Sequence, residues 1–147
     1  MRIPPYAPTA IAIDAFGNVW IANANNSVTE LAHTGAALSG ATGFTAGGLN
    51  APTAIAIDTA GNAWITNSNS SLTELTSTGS AASGSPFMGG GLNSPTSIAF
   101  DLFGNSWISN SGNNSVSEFS ANGSAVSSTG YPATGISTPV GVSVSPR

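Results

Sequence analysis

The chain has no cysteine and no lysine among its 147 residues, and its only cationic side chains are Arg2 and Arg147. Without cysteine there are no disulfides, no thiolate metal sites and no cysteine nucleophile. With so few cations, the phosphate neutralisation that nucleic-acid binding requires is out of reach. Attraction to an anionic membrane surface fails for the same reason. Charged residues make up only 5% of the chain, far below the usual quarter, so its surface must be solvated by Ser, Thr, Asn and Gly. No stretch approaches the roughly 20 apolar residues of a membrane helix, which argues against membrane insertion. Met1-Arg-Ile-Pro-Pro-Tyr6 lacks the apolar core of a signal peptide. The missing cysteines fit either a reducing compartment or a bacterial envelope protein without bridges, and the uncharged polar surface leans toward the envelope or the extracellular space, with any export signal outside this sequence.

What is present is a repeat. Pro8-Thr-Ala-Ile-Ala-Ile-Asp14 returns as Pro52-Thr-Ala-Ile-Ala-Ile-Asp58 and as Pro95-Thr-Ser-Ile-Ala-Phe-Asp101. A partial copy, Pro139-Val-Gly-Val-Ser-Val-Ser145, follows, so the spacing is 43–44 residues throughout. Within each copy, alternation of small and large apolar residues predicts a strand buried on both faces. Asp14, Asp58 and Asp101 open turns closed by Gly17, Gly61 and Gly104, a hairpin signal. A second strand carries Trp20, Trp64 or Trp107, and an Asn-rich turn leads to a third, Ser27-Val-Thr-Glu-Leu31 in the first copy. A weaker fourth strand is expected around Ala37 to Ser39, and a Gly-rich connector such as Gly47-Gly-Leu-Asn50 leads to the next Pro.

Four short antiparallel strands per repeat describe a β-propeller blade. A parallel β-helix is the competing architecture, but its coils are shorter and need no hairpin. The expected fold is therefore all-β: one partial propeller over 1–147, with blades at about 8–51, 52–94 and 95–138 and an extra strand at 139–147.

The pattern Pro-x-x-Ile-Ala-x-Asp-x-x-Gly-Asn-x-Trp-Ile-x-Asn, followed by Asn-x-Ser-Val-x-Glu-Leu, resembles the NHL repeat. It is similar as well to the repeats of virginiamycin B lyase and other six-bladed propellers. The resemblance spans Pro8 to about Pro139. It implies about six blades in a closed ring and says little of activity, since such propellers include lyases, lactonases, RNA binders and scaffolds. Three blades and a strand do not close a ring. The sequence is read as a segment of a longer propeller in preference to a homodimer closing six blades, because the extra strand competes with a partner's first strand.

All six acids fall on two repeat positions: Asp14, Asp58 and Asp101 in the first turn, and Glu30, Glu74 and Glu118 in the third strand. Packed sheets lie about 10 Å apart, whereas oxygens sharing one calcium are at most about 5 Å apart. These acids are therefore expected to build turns and strands, with no metal and no cofactor. His33, the only histidine, has Ser77 and Ala121 at the equivalent positions and reads as a turn residue. The resemblance to virginiamycin B lyase implies a histidine base and a magnesium held by acidic and histidine side chains. One histidine cannot serve both roles, so no catalytic residue is assigned. The tryptophans read as wedges between blades, and Phe16 and Phe103 as partly exposed turn residues.

The candidate ligand-binding residues are Asn23, Asn25, Asn67, Asn69, Asn110 and Asn113, in turns that share a face with the Gly-rich connectors. Asn offers donors and acceptors for neutral polar groups, which suits a protein backbone or a neutral polysaccharide. Asn also tolerates left-handed turn geometry, so a purely structural role accounts for the same residues. Asn25-Asn-Ser27, Asn69-Ser-Ser71, Asn113-Asn-Ser115 and Asn122-Gly-Ser124 match the glycosylation sequon, as expected in a chain rich in Asn and Ser. The expectation is a non-catalytic binding or structural module. The alternative is a lyase of a cyclic depsipeptide that becomes active only in a completed ring.

Overall fold

The computed structural model describes residues 7–145, and among them there is no helix. Three antiparallel sheets follow one another along the chain. The first contains β1 (Pro8–Ile13), β2 (Val19–Asn23) and β3 (Ser27–Leu31). The second contains β4 (Pro52–Ile57), β5 (Ala63–Asn67) and β6 (Ser71–Leu75). The third contains β7 (Pro95–Phe100), β8 (Ser106–Asn110), β9 (Ser115–Phe119) and the short β10 (Tyr131–Pro132). The register is the same in each blade: Ala12 faces Trp20 and Trp20 faces Glu30, as Ala56, Trp64 and Glu74 do, and Ala99, Trp107 and Glu118.

The Asp turns explain why each first hairpin forms. Asp58 Oδ1 accepts from the backbone N–H groups of Ala60 and Asn62, both at 2.9 Å, and Asp14 and Asp101 make the same pair of bonds. Gly61 closes the turn at φ 85°, a left-handed conformation that costs glycine least.

The fourth strand of each blade is shorter than the repeat predicts. In the first blade it narrows to two bridges, Leu31 to Ala37 and Val28 to Phe44. Gly40 and Gly43 at positive φ turn the intervening chain away from the ladder. The second blade repeats this with Ala81 and Phe87, and only the third forms a strand here, β10 against β9. The expected extra strand also makes no ladder: residues 139–145 carry no strand pairing. They nevertheless occupy the place of a fourth inner strand. The Thr96 hydroxyl donates to the Pro139 carbonyl (2.8 Å), as the Thr53 hydroxyl donates to that of Pro95 (2.7 Å). Val142 N–H donates to Ser97 Oγ. A ladder needs the next strand of the same blade, and none is present among the described residues.

The blades pack face to face through their inner strands, β1 against β4 and β4 against β7. Each blade presents a tryptophan face to its successor and an isoleucine face to its predecessor. Trp20, Ala22 and Val28 of the first blade pack with Ile55, Ile65 and Leu75 of the second. Trp64, Ala54 and Leu72 of the second pack with Ile98, Ile108 and Phe119 of the third. Phe44 lies on Trp20 and Phe87 stacks on Trp64, with ring centroids 5.6 and 5.5 Å apart. Trp20 and Trp64 are wedges between blades, as expected, whereas Trp107 lies half-buried on the outer face of the third blade. Every residue of β5 and β6 is buried, because the second blade alone has a neighbour on both sides.

Candidate functional site

Antiparallel strands put the Asp turns at one end of every blade and the Asn turns and connectors at the other. The two ends differ in chemistry. At the Asn end, the six predicted residues divide into two groups by their position in the repeat. Asn23, Asn67 and Asn110 close the second strands and are buried, at 3%, 0% and 0% exposure. Asn67 Nδ2 donates to Ser71 Oγ and Thr73 Oγ1 (3.1 and 3.0 Å), while its Oδ1 accepts from Asn50 N–H (3.0 Å). Asn110 holds Ser115, Ser117 and the Asn93 N–H in the same way, and Asn23 donates to Ser27 and Thr29. Asn67 and Asn110 thereby lock a connector to the blade, and Asn23 ties the second strand of its blade to the third.

Asn25, Asn69 and Asn113 lie at the turn tips and are exposed. Their Oδ1 atoms accept from the hydroxyls of Ser27, Ser71 and Ser115, each at 2.7 Å. That bond fixes each side chain's orientation and leaves its amide group at the surface. Asn113 Nδ2 also donates to the Gly91 carbonyl.

A neighbouring set escaped the sequence reading. Asn26, Ser70 and Asn114 sit at φ 65°, 62° and 53°, and their side-chain oxygens accept from the N–H of Ala51 (2.6 Å), Ser94 (3.3 Å) and Thr138 (2.8 Å). Those partners are themselves left-handed, at φ 43°, 48° and 40°. A clamp of this kind holds a conformation that non-glycine residues rarely adopt. The signal was the recurrence of a small residue before each repeated Pro.

The opposite end carries the acids. The Asp14 carboxylate accepts from Trp20 Nε1 (3.3 Å), Asp58 from Trp64 (2.9 Å) and Asp101 from Trp107 (3.0 Å). Burial works against the charge of Asp14 and Asp101. The N–H donors of the turn and the indole outweigh it and hold both carboxyls below their ordinary range. Glu30 and Glu74 go the other way. Burial, then the neighbouring Asp14 or Asp58 charge, raises them despite the amide bonds from Asn18 and Asn62. Glu118 instead accepts from the Tyr131 hydroxyl (2.8 Å), which raises the tyrosine, foremost through that bond.

Between the first two Asp turns lies a groove of about 390 Å³, lined by Asp14, Phe16, Glu30, Asp58 and Ser77. Among the described residues, no three Asp, Glu or His side chains converge in a way that could hold a metal. His33 is exposed in the turn after β3, its Cβ side against Gly17. Phe16 and Phe103 are almost fully exposed, at 84% and 87%, more so than the sequence suggested.

This arrangement of blades is found in solved structures. A streptogramin B lyase superposes with a TM-score of 0.79 at 17% identity, over 97% of this chain and 46% of that one. Virginiamycin B lyase from Staphylococcus aureus gives 0.74 at 17% identity, over 96% of this chain and 46% of the lyase. The chain shares the fold of these six-bladed propellers. A protein of unknown function from Bacteroides thetaiotaomicron gives 0.65 at 16% identity, over 92% of this chain and 41% of its own. Neither the protein-family models nor the curated proteins compared match the sequence. The chain therefore spans just under half the length of the propellers it resembles, and at this identity the likeness is one of fold.

Proposed function

We propose that this half-ring of blades is a non-catalytic binding scaffold, which presents its Asn turns and connectors to a protein or a neutral polysaccharide outside the cell or in its envelope. The observation that carries the reading is the fate of the reactive side chains. Every aspartate builds a turn and anchors a tryptophan, and every glutamate bonds within its own blade. The exposed groups repeated along one end are instead the amides of Asn25, Asn69 and Asn113, each oriented by a serine. Oriented uncharged amides suit hydroxyls and peptide groups. Hydrogen bonds through water-exposed amides are individually weak, about 0.5–1.5 kcal/mol, so several turns must act together.

The structural likeness to the lyases supports a second reading, in which a completed ring opens a cyclic depsipeptide. Binding measured on a panel of neutral glycans and peptides separates the two. The scaffold reading expects at least one binder, and the Asn25→Ala, Asn69→Ala, Asn113→Ala triple variant should lose at least tenfold in affinity while its circular dichroism spectrum stays that of the folded chain. Metal-dependent opening of a depsipeptide by the purified chain would overturn it.

A further inference from the structure

The two end faces of the stack show what a missing blade leaves uncovered. Ile55 on the second blade is 7% exposed and Ile98 on the third is 8%, but Ile11 on the first is 64% exposed and Ile13 is 65%. β1 and β4 have the same sequence, Pro-Thr-Ala-Ile-Ala-Ile, so only the neighbouring blade makes the difference. Ile21 and Leu31 continue the open face and are half-buried, while their counterparts Ile65 and Leu75 are fully buried. At the other end Trp107 and Val116 are half-buried, although Trp20, Trp64, Val28 and Leu72 in the same positions are at most 1% exposed.

The open faces are therefore the isoleucine half and the tryptophan half of a single interface, and the molecule contains two assembled examples of it. We propose that a second copy of this chain covers both faces, with the first blade of each copy on the third blade of the other, closing a two-chain ring of six blades. Three observations choose this occupant. The internal junctions prove the two halves complementary, since Trp20 and Val28 already accept Ile55, Ile65 and Leu75. The chain matches 46% of a six-bladed propeller, so two copies supply nearly a whole ring. The acid on the open third face, Glu118, occupies the position of Glu30 and Glu74, which the internal junctions bury at 7% and 8% exposure. Two identical heterologous contacts then close on a two-fold axis and leave no free end.

The segment 139–145 stands in the slot that the partner's β1 would enter. It is held by the Thr96 and Ser97 bonds without a ladder, and Val140 is 81% exposed. β1 arrives with its own hairpin and can displace it, after which the Thr96 hydroxyl would meet the partner's Pro8 carbonyl. This inference does not depend on the ligand reading above.

Sedimentation velocity on the intact chain across a hundredfold concentration range tests it. The expected species has twice the 14.4 kDa chain mass and no larger members. Ile11→Asp with Ile13→Asp, at positions open in the single chain, should shift the mass to monomer while circular dichroism stays unchanged. Val142→Pro removes the N–H held by Ser97 and should lower the dimer Kd several-fold. A monomer at every concentration, a ladder of ever larger species, or a dimer indifferent to Ile11→Asp would overturn the proposal. An unchanged Kd for Val142→Pro would overturn the displacement of 139–145.

Discussion

Replacing Asp58 by alanine removes one carboxylate that does three things at once. Its Oδ1 holds the N–H groups of Ala60 and Asn62, and its Oδ2 holds Trp64 Nε1 at 2.9 Å. The two turn N–H groups can turn to water, so each bond is worth about 0.5–1.5 kcal/mol. Trp64 is 1% exposed, and an indole N–H left without a partner there costs about 1–3 kcal/mol. Losing the Asp58 charge also relieves Glu74, which that charge pushes up, and this offsets part of the loss. The net expectation is a destabilisation of about 2–5 kcal/mol, a large share of the roughly 5–15 kcal/mol that holds a domain together. Urea unfolding followed by far-UV circular dichroism at fixed protein concentration would show the midpoint falling by about 1–2 M. A double-mutant cycle with Trp64→Phe isolates the indole bond, with an expected coupling of about 1–3 kcal/mol. The reasoning fails if Asp58→Ala costs less than about 1 kcal/mol, or if Trp64→Phe costs the same with and without Asp58.

Stability should pass through a maximum in mild acid. The raised Glu30 and Glu74 penalise the fold when charged, so stability grows as pH falls through their folded values toward the ordinary 4.5. The lowered Asp14 and Asp101 give stability that is complete above the ordinary 3.8 and lost as pH falls through their folded values. Melting temperature should therefore rise from pH 7 to about pH 4.5 and drop below about 3.8, and Glu30→Gln with Glu74→Gln should abolish the rise while keeping the drop. Asn67→Ala and Asn69→Ala, two residues apart, should differ in calorimetry: the first leaves the Asn50 N–H without its acceptor and the Ser71 and Thr73 hydroxyls without their donor and costs about 2–4 kcal/mol, whereas the second removes one bond from Ser71 and costs about 0.5–1.5 kcal/mol.

Periodicity explains how much of this architecture could be read in advance. Alternation over Ala54 to Ile57, the Asp–Gly turns and the repeated tryptophans each have a local physical cause, and the three sheets follow from them. The fourth strands depend on Gly40 and Gly43 leaving the ladder, a choice made by backbone freedom, where side-chain pattern is silent. The division of the Asn residues was legible but overlooked. Asn67 continues the alternation of Ala63 and Ile65, so the strand period already points it inward, whereas Asn69 lies past the strand end. The inter-blade bonds from Thr53 and Thr96 had no sequence signal beyond the threonine that follows Pro8, Pro52 and Pro95.

The ends of the stack show where local sequence stops deciding structure. A terminal repeat in a stacked protein that stands alone has a polarised outer face, because water meets it on one side. Here the first blade offers water Ile11 and Ile13, residue for residue what the second blade offers its neighbour, and the third leaves Trp107 half open. Scattered exposed hydrophobics are ordinary, but these are contiguous with Ile21 on one face, where a surface pocket also forms. Burying them is worth about 25 cal/mol for each Å² of apolar area removed from water. Both ends are thus written as interior blades. The energetic demand of this sequence is for another tryptophan face and another isoleucine face, and each copy of the chain carries one of each.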